Sequence, residues 1–394
     1  MSKLFISSEN DAHVVIFDYN KGVKHPFTPI KEVSNCFSQL PIIQLIERNR
    51  KLKEILKTLS NMRGVSGFEY MINQEIADMM KKYTDEVYID NSGSVIAVKK
   101  AKNPKAKIML EAHCDEIGLM VKDIDEKGFV TFVNIGGIDG RILPGAEVTV
   151  HGKKDIWGVI GAKPPHLQLA SESEKSIKIK DMYIDMGMKH DDVIKFVSVG
   201  DSISMCQTAG ELLNDSFCGK CIDDRGGVAA LLKVMEAVKD EELSCDIYFV
   251  AAVQEEVGLR GAKTAAYGIF PDLAIAIDVC HGVTPDNSYN AFELGTGTVI
   301  SKGPNIHPKL AEKLITLAKA NDIKYNIDVD GGDTGTDAWA IQVTREGVPT
   351  GLLSIPLKYM HTSVETVDMN DLEATAKLLC EFIKDVKEAE WICF

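Results

Sequence analysis

The chain has 394 residues, 45% of them hydrophobic and 26% charged, a profile that excludes a disordered or fibrous protein and is long enough for two domains with sizeable cores. Its 44 Lys and Arg against 58 Asp and Glu give a net charge of −14, which argues against nucleic acid or an anionic membrane as partner. No run approaches the ~20 apolar residues that span a bilayer, the N-terminus lacks the basic-then-apolar layout of a signal peptide, and nine scattered cysteines point to a reducing, cytoplasmic location.

Residues 1–48 fit no domain pattern and read as an N-terminal extension, in which HVVIFDYNKGVKH is compatible with a hairpin about Asn20-Lys21-Gly22. From Asn49 the pattern is a helix, a loop at Gly64 and Gly67, then an amphipathic helix with apolar spacing at Met71, Ile72, Ile76 and Met79. EVYIDNSGSVIAVKK reads as strands about a turn at Asn91-Ser92-Gly93. From about Leu119 to Ser204 the chain is short-strand material (GFVTFVNIGG, AEVTVHG, DIWGVIGA) with a helical piece near Ser171 to Lys178. After Lys220, apolar runs such as CDIYFVAAV, LAIAIDV and GVPTGLLSIP alternate with helical patterns such as GVAALLKVMEAVKD and HPKLAEKLITLAKAND. Such runs suit buried parallel strands. The expected fold is α/β, a mostly parallel sheet with helices on both faces (residues 49–118 and 208–394), interrupted by an inserted β-rich domain at 119–207.

The residues at the ends of the apolar strands carry the chemistry. IMLEA is followed by His113, Cys114, Asp115 and Glu116; IYFVAAVQ by Glu255 and Glu256; LAIAI by Asp278; GLLSIPLKYM by His361. In open α/β sheets ligands sit beyond the carboxyl ends of the strands, so these groups meet at one edge. Asp223 and Asp224, in CIDDRGG before a helix, are further candidates. Each piece has an ordinary reading: a buried core histidine, an Asp-Asp helix cap, a solvated Glu-Glu pair. Five groups at successive strand ends do not. His113, Asp223, Glu256, Asp278 and His361 exceed what one catalytic zinc takes and suit two divalent ions sharing a carboxylate, Zn²⁺ first, with Co²⁺ or Mn²⁺ as alternatives. Asp115 can reach the second nitrogen of the His113 ring. Glu255, leaving the strand opposite to Glu256, is placed to act as general base.

At AHCDEIGLMV, KPPHLQ, IDDRGGVAALL, QEEVGLRGA, GTDAWAIQ and IPLKYMHTSVETVD the chain resembles the tetrahedral-type, or glutamyl (deblocking), aminopeptidases over residues 49–390. That resemblance implies that His113 and Asp278 hold one metal, Glu256 and His361 the other, Asp223 bridges, and Glu255 is the base. It implies a zinc-aminopeptidase-like catalytic domain in two parts and a PDZ-like dimerisation domain in the insertion. It further implies assembly as a dimer or dodecamer, and a position for Asp337, in GTDA, where it contacts substrate. Arg225 either binds a substrate carboxylate or caps the site structurally. Cys114 stands where relatives often carry Met, and Cys218-Gly-Lys-Cys221 is a CxxC without a second pair, unsuited to a structural zinc. His166 reads as structural or interface-lining, His281 as near the metals without ligating, and His13, His25, His151, His190 and His307 as surface or core residues.

The expected activity is removal of N-terminal residues from short peptides. A metal-dependent deacylase of N-acyl amino acids is the alternative enzyme, distinguished by having no need of a free α-amine. A glycosidase needs two carboxylates and no metal, which this set does not match. A non-catalytic assembly scaffold would be favoured by a missing ligand or base, and none is missing.

Overall fold

The computed structural model describes residues 3–7, 13–17, 41–84, 86–167 and 176–388. By its contacts the chain divides at Lys51/Leu52 into a small and a large unit. In the small unit, strands β1 (Lys3–Ser7) and β2 (His13–Phe17) pair antiparallel, Lys3 opposite Phe17. The strand expected in HVVIF therefore exists but pairs upstream; Asn20-Lys21-Gly22 lies outside the described residues.

In the large unit the last turns of helix α1 (Pro41–Asn61) bury Leu52, Leu56 and Leu59, a spacing that sets one helical face against the core. Helix α2 (Asn73–Met80) buries Ile76, Ala77 and Met80, while Met71 and Met79 are only partly covered. Strands β3 (Glu86–Ile89) and β4 (Val95–Lys99) form a hairpin. Its turn holds because the Asp90 carboxylate accepts from the amides of Ser92, Gly93 and Ser94, with Gly93 at φ +105°. Strand β5 (Lys107–His113) follows.

The chain then leaves the sheet and builds a closed barrel from β6 (Gly118–Ile124), β7 (Val130–Ile135), β8 (Glu147–His151), β9 (Asp155–Ile160) and β10 (Ile184–Asp185). A short helix α3 (His190–Val193) leads into its last strand, β11 (Ser202–Met205). Leu119, Val121, Phe132, Val148, Val150 and Ile203 fill its core. Residues 171–175 of the helical piece expected at Ser171–Lys178 lie outside the described residues; 176–178 are not helical.

Back in the sheet come β12 (Gly210–Glu211), β13 (Ser216–Gly219), helix α4 (Ile222–Val238), β14 (Asp246–Ala252), helix α5 (Arg260–Ile269) and β15 (Leu273–His281). Then follow β16 (Thr298–Lys302), α6 (Pro308–Ala320), β17 (Tyr325–Val329), α7 (Asp337–Ile341), β18 (Thr350–Lys358), β19 (Glu365–Asp368) and α8 (Met369–Asp385). The sheet runs β12-β13-β19-β18-β15-β5-β14-β4-β3, with β16 and β17 branching from β18. It is mixed rather than mostly parallel. β14, β5, β15 and β18 run parallel at its centre, and its margins pair antiparallel. Short connections such as that between β3 and β4 permit only antiparallel neighbours, whereas the crossovers through α4 and α5 return strands running the same way and that through α6 joins the parallel neighbours β16 and β17. Every residue of β14 is buried, as a strand covered on both faces requires.

One polar brace stands out in the barrel. His151 Nδ1 lies 2.8 Å from Asp155 Oδ1, and its Nε2 2.8 Å from Ser204 Oγ; Arg63 pairs with the other Asp155 oxygen. The order Ser-His-Asp is that of a nucleophilic triad, but Ser204 is 1% exposed and so is closed to any substrate. The brace ties β8, β9 and β11 and anchors them to the loop after α1. His151→Ala should lower unfolding stability by about 2–3 kcal/mol through an orphaned hydroxyl and a cavity. A loss below about 0.5 kcal/mol in denaturant titration would show the brace to be idle.

Candidate active site

Because β5, β14, β15 and β18 are parallel, their carboxyl ends meet at one edge. His113 ends β5, opposite Ala252 of β14. Glu255 and Glu256 occupy the turn between β14 and α5, Asp278 the sixth position of β15, and His361 the turn after β18. Asp223 enters from the first turn of α4. Three of the turns pass through left-handed non-glycine residues, Cys221 (φ 55°), Gln254 (φ 58°) and His361 itself (φ 61°). Such backbone is unfavourable and persists where surrounding contacts over-determine it.

The ligand-type atoms of His113, Asp223 and Asp278 lie within 4.8 Å of one another, as do those of Asp223, Glu256 and His361. Asp223 belongs to both groups through different oxygens: Oδ1 is 3.2 Å from His113 Nε2, and Oδ2 is 3.3 Å from His361 Nε2. Glu256 Oε1 is 3.5 Å from His361 Nε2, and Glu255 Oε2 is 4.0 Å from His113 Nε2. Thus all six residues foreseen for metals and base converge. Burial, offset in part by His113, pushes Glu255 up to about 10, with Asp278, Asp337 and Glu256 adding to it. Burial and then Asp223 raise Glu256 to about 8 and Asp278 to about 7. His361 rises to about 9 through its contact with Asp223.

A second layer holds this cluster. Asp115, fully buried, is 3.5 Å from His113 Nδ1, a charge contact longer than a good hydrogen bond, and it also accepts from the amides of Glu255 and Glu256 at 3.1 and 3.2 Å. Burial drives its carboxyl upward, but His113, Ser66 and the Glu255 amide hold it below the usual aspartate value. Glu69 accepts from the amides of Gly67 and Gln254 at 2.8 and 2.9 Å. Glu365 accepts from the amides of Asp223 and His361 at 3.1 and 3.0 Å. Sequence reasoning missed both glutamates. Neither stands at the end of an apolar strand, and Glu69 acts across 185 residues.

Two expectations are corrected. Arg225 does not face a substrate. It is 0% exposed, and its guanidinium donates to the carbonyls of Cys114, Leu59, Met62 and Gly64 and to Glu116, which Lys220 also pairs. Its structural alternative holds. Asp337 is also turned inward, 2% exposed, and burial pushes its carboxyl and that of the neighbouring Glu111 well up. Asp224 accepts from the Gly227 amide, as a helix cap does.

A cavity of about 610 Å³ opens from the cluster, lined among others by Asp223, Glu255, Glu256, Asp278, His361, Met360 and Leu259 on the cluster side and by Ser301, Asp328 and Asp330 farther out. His281 also lines it, beyond the cluster.

The sequence profile of the M42 glutamyl aminopeptidases matches residues 93–378. A putative aminopeptidase of Acetivibrio thermocellus is 39% identical over 336 residues, 84% of this chain and 98% of that one. The lysyl aminopeptidase of Pyrococcus furiosus is 36% identical over 344 residues, 86% of this chain and 98% of its own length. The solved TET1 peptidase of Pyrococcus horikoshii, described as assembling into a tetrahedron or a large octahedral shell, superimposes with a TM-score of 0.77 at 34% identity, covering 85% of this chain and 100% of that one. The chain therefore belongs to the M42 glutamyl aminopeptidase family, whose members are peptide-bond hydrolases.

Proposed function

We propose that this aminopeptidase works with two divalent cations, one held by His113 and Asp278, the other by Glu256 and His361, with Asp223 shared. The observation that carries the reading is the pair of Asp223 oxygens facing two different imidazoles. The donor set fits: two imidazoles and three carboxylates are hard or borderline ligands, suited to Zn²⁺ first and to Co²⁺ or Mn²⁺. The raised carboxyls of Glu256 and Asp278 mark a site with more negative charge than its own histidines balance. Bound there, the ions would polarise the scissile carbonyl and acidify a water.

Glu255, aimed into the cavity and free of the shared Asp223 contacts, is raised in the metal-free site and would be ionised with cations bound beside it; in that form it takes the proton of the attacking water at a carboxylate oxygen and returns it to the leaving amine nitrogen. Asp115 fixes where it stands by gripping the amides of both glutamates. The acidic cavity favours a free α-ammonium, which distinguishes an aminopeptidase from a deacylase, and its volume suits the end of an unfolded peptide. The likeness to the TET1 peptidase supports a homo-oligomer. The exposed Trp157, Ile194 and Val199 on the barrel portion support that portion as a dimerisation domain. No helix among the described residues is long and apolar enough to cross a membrane, and the seven described cysteines are free thiols, which supports a reducing compartment.

Metal analysis should find two ions per subunit in the native protein. Asp223→Ala should lose both and His361→Ala only one; loss of a single ion in Asp223→Ala would remove the shared-ligand assignment. Metal uptake should release protons. In the metal-free state Asp278 and Glu256 hold theirs up to about pH 7 and 8 and His361 its own up to about 9, and ligation needs ionised carboxylates and a neutral imidazole. Apparent affinity should then weaken as pH falls below that range, measured by calorimetry in buffers of different ionisation enthalpy. A pH-independent affinity would contradict it.

Glu255→Gln should lower kcat on aminoacyl-p-nitroanilides by about 10²–10⁴-fold with metal content unchanged. Native protein should leave the N-acetylated substrates intact. Cleavage of the acetylated set would move the assignment to a deacylase.

A further inference from the structure

The far wall of the cavity is a continuation of the sheet. Asp278 of β15 lies opposite Ser354 of β18, Ser354 opposite Val299 of β16, and Ser301 of β16 opposite Asp328 of β17. Paired residues share a face and alternate residues return to it. One face therefore carries, in order outward from the metal-ligand cluster, Asp278, Ser354, Ser301 and Asp328, with Asp330 just past the end of β17. All five line the cavity.

The character of this floor is specific. Ser301 and Ser354, 3% and 4% exposed, carry hydroxyls with no hydrogen-bond partner among the described residues. Asp330 uses one oxygen on the Gly332 amide and so keeps its place. Among the described residues Asp328 makes neither a hydrogen bond nor an ion pair, and no lysine or arginine lines the cavity. An uncompensated carboxylate at the end of a floor of free hydroxyls is a receptor for a long side chain ending in a cation. Three strand spacings and a two-residue step along β16, together roughly 16 Å, separate Asp328 from Asp278. A short or branched apolar side chain held at the cluster stops well before it, and a glutamate would bring like charge toward it.

We infer that Asp328, supported by Asp330, selects the first residue of the substrate, and that the enzyme prefers peptides beginning with lysine or arginine to those beginning with leucine or glutamate. The inference rests on the aminopeptidase reading above and adds its substrate class. The family's name points to acidic residues and the Pyrococcus furiosus relative's to lysine, so family membership leaves the choice to this floor.

The test uses the full-length, metal-loaded protein with lysyl-, arginyl-, leucyl- and glutamyl-p-nitroanilide. Wild type should favour lysyl over leucyl substrate by about 10-fold or more in kcat/KM. Asp328→Asn should erase most of that ratio, chiefly through KM, while leucyl turnover stays within about 3-fold; Asp328→Lys should raise glutamyl cleavage. Calorimetric binding of free L-lysine against L-leucine to the Glu255→Gln protein supplies a readout independent of turnover, and Asp328→Asn in that background should weaken lysine alone. A leucyl or glutamyl preference in wild type, or a lysyl/leucyl ratio untouched by Asp328→Asn, overturns the inference and leaves the aminopeptidase standing. Absence of cleavage of every substrate by wild type would instead strike the aminopeptidase reading, and lysine binding that depends on Asp328 would still support the pocket.

Discussion

Four carboxylates, Asp223, Glu255, Glu256 and Asp278, are held at one sheet edge against two imidazoles, and most of the surrounding structure follows from keeping them there. Like charges this close would spread apart or take up protons if the backbone allowed it. The fold meets the repulsion with amides. Glu365 fixes Asp223 and His361, Asp115 fixes Glu255 and Glu256, and Glu69 fixes Gln254, each by accepting main-chain hydrogen bonds. Asp115 and Glu365 each commit both oxygens to these amides, and Glu69 commits Oε1 to two of them.

Beneath that layer lies a counter-charge, Arg225, enclosed by four backbone carbonyls and Glu116. Burial raises the Glu116 carboxyl, but Lys220 and Arg225 outweigh it and bring it to about 2. This ionic knot joins the loop after α1, the end of β5 and the start of α4, three segments that reach the site from distant parts of the sequence. Removing one partner would leave a buried charge uncompensated, so the knot acts by fixing geometry more than by net stabilisation.

How far the sequence disclosed all this depended on whether the signal was local. A histidine or carboxylate at the end of an apolar run announces itself, because strand and turn lie side by side in the chain; His113, Glu255, Asp278 and His361 are legible for that reason. Strand direction was not local. LAIAIDV and the VIAV of EVYIDNSGSVIAVKK are both apolar, and only the connection lengths distinguish the parallel centre from the antiparallel margin. Arg225 looks functional because it follows the Asp pair, and Asp337 because the family resemblance sets GTDA beside the active site. The structure shows both facing inward, where partners contributed by residues 59–116 decide their role. Glu69 and Glu365 were invisible because their only distinction is whose amide they meet.

Glu255 and Glu256 show how two like neighbours come to differ. Their amides share one acceptor, Asp115, so the backbone leaves the strand as a single rigid turn, entered through the left-handed Gln254. From that turn Glu256 reaches the His361 side of Asp223, while Glu255 lies toward His113 and the cavity. Burial raises both, and Glu255 the more, with Asp278 and Asp337 adding to its share. A carboxyl turned to the cavity with no shared contact suits the proton-carrying role proposed for Glu255, and one wedged beside Asp223 and an imidazole suits the ligand role proposed for Glu256. The division of labour is thus set by which side of one turn each side chain leaves, a consequence of strand geometry that precedes any chemistry at the site.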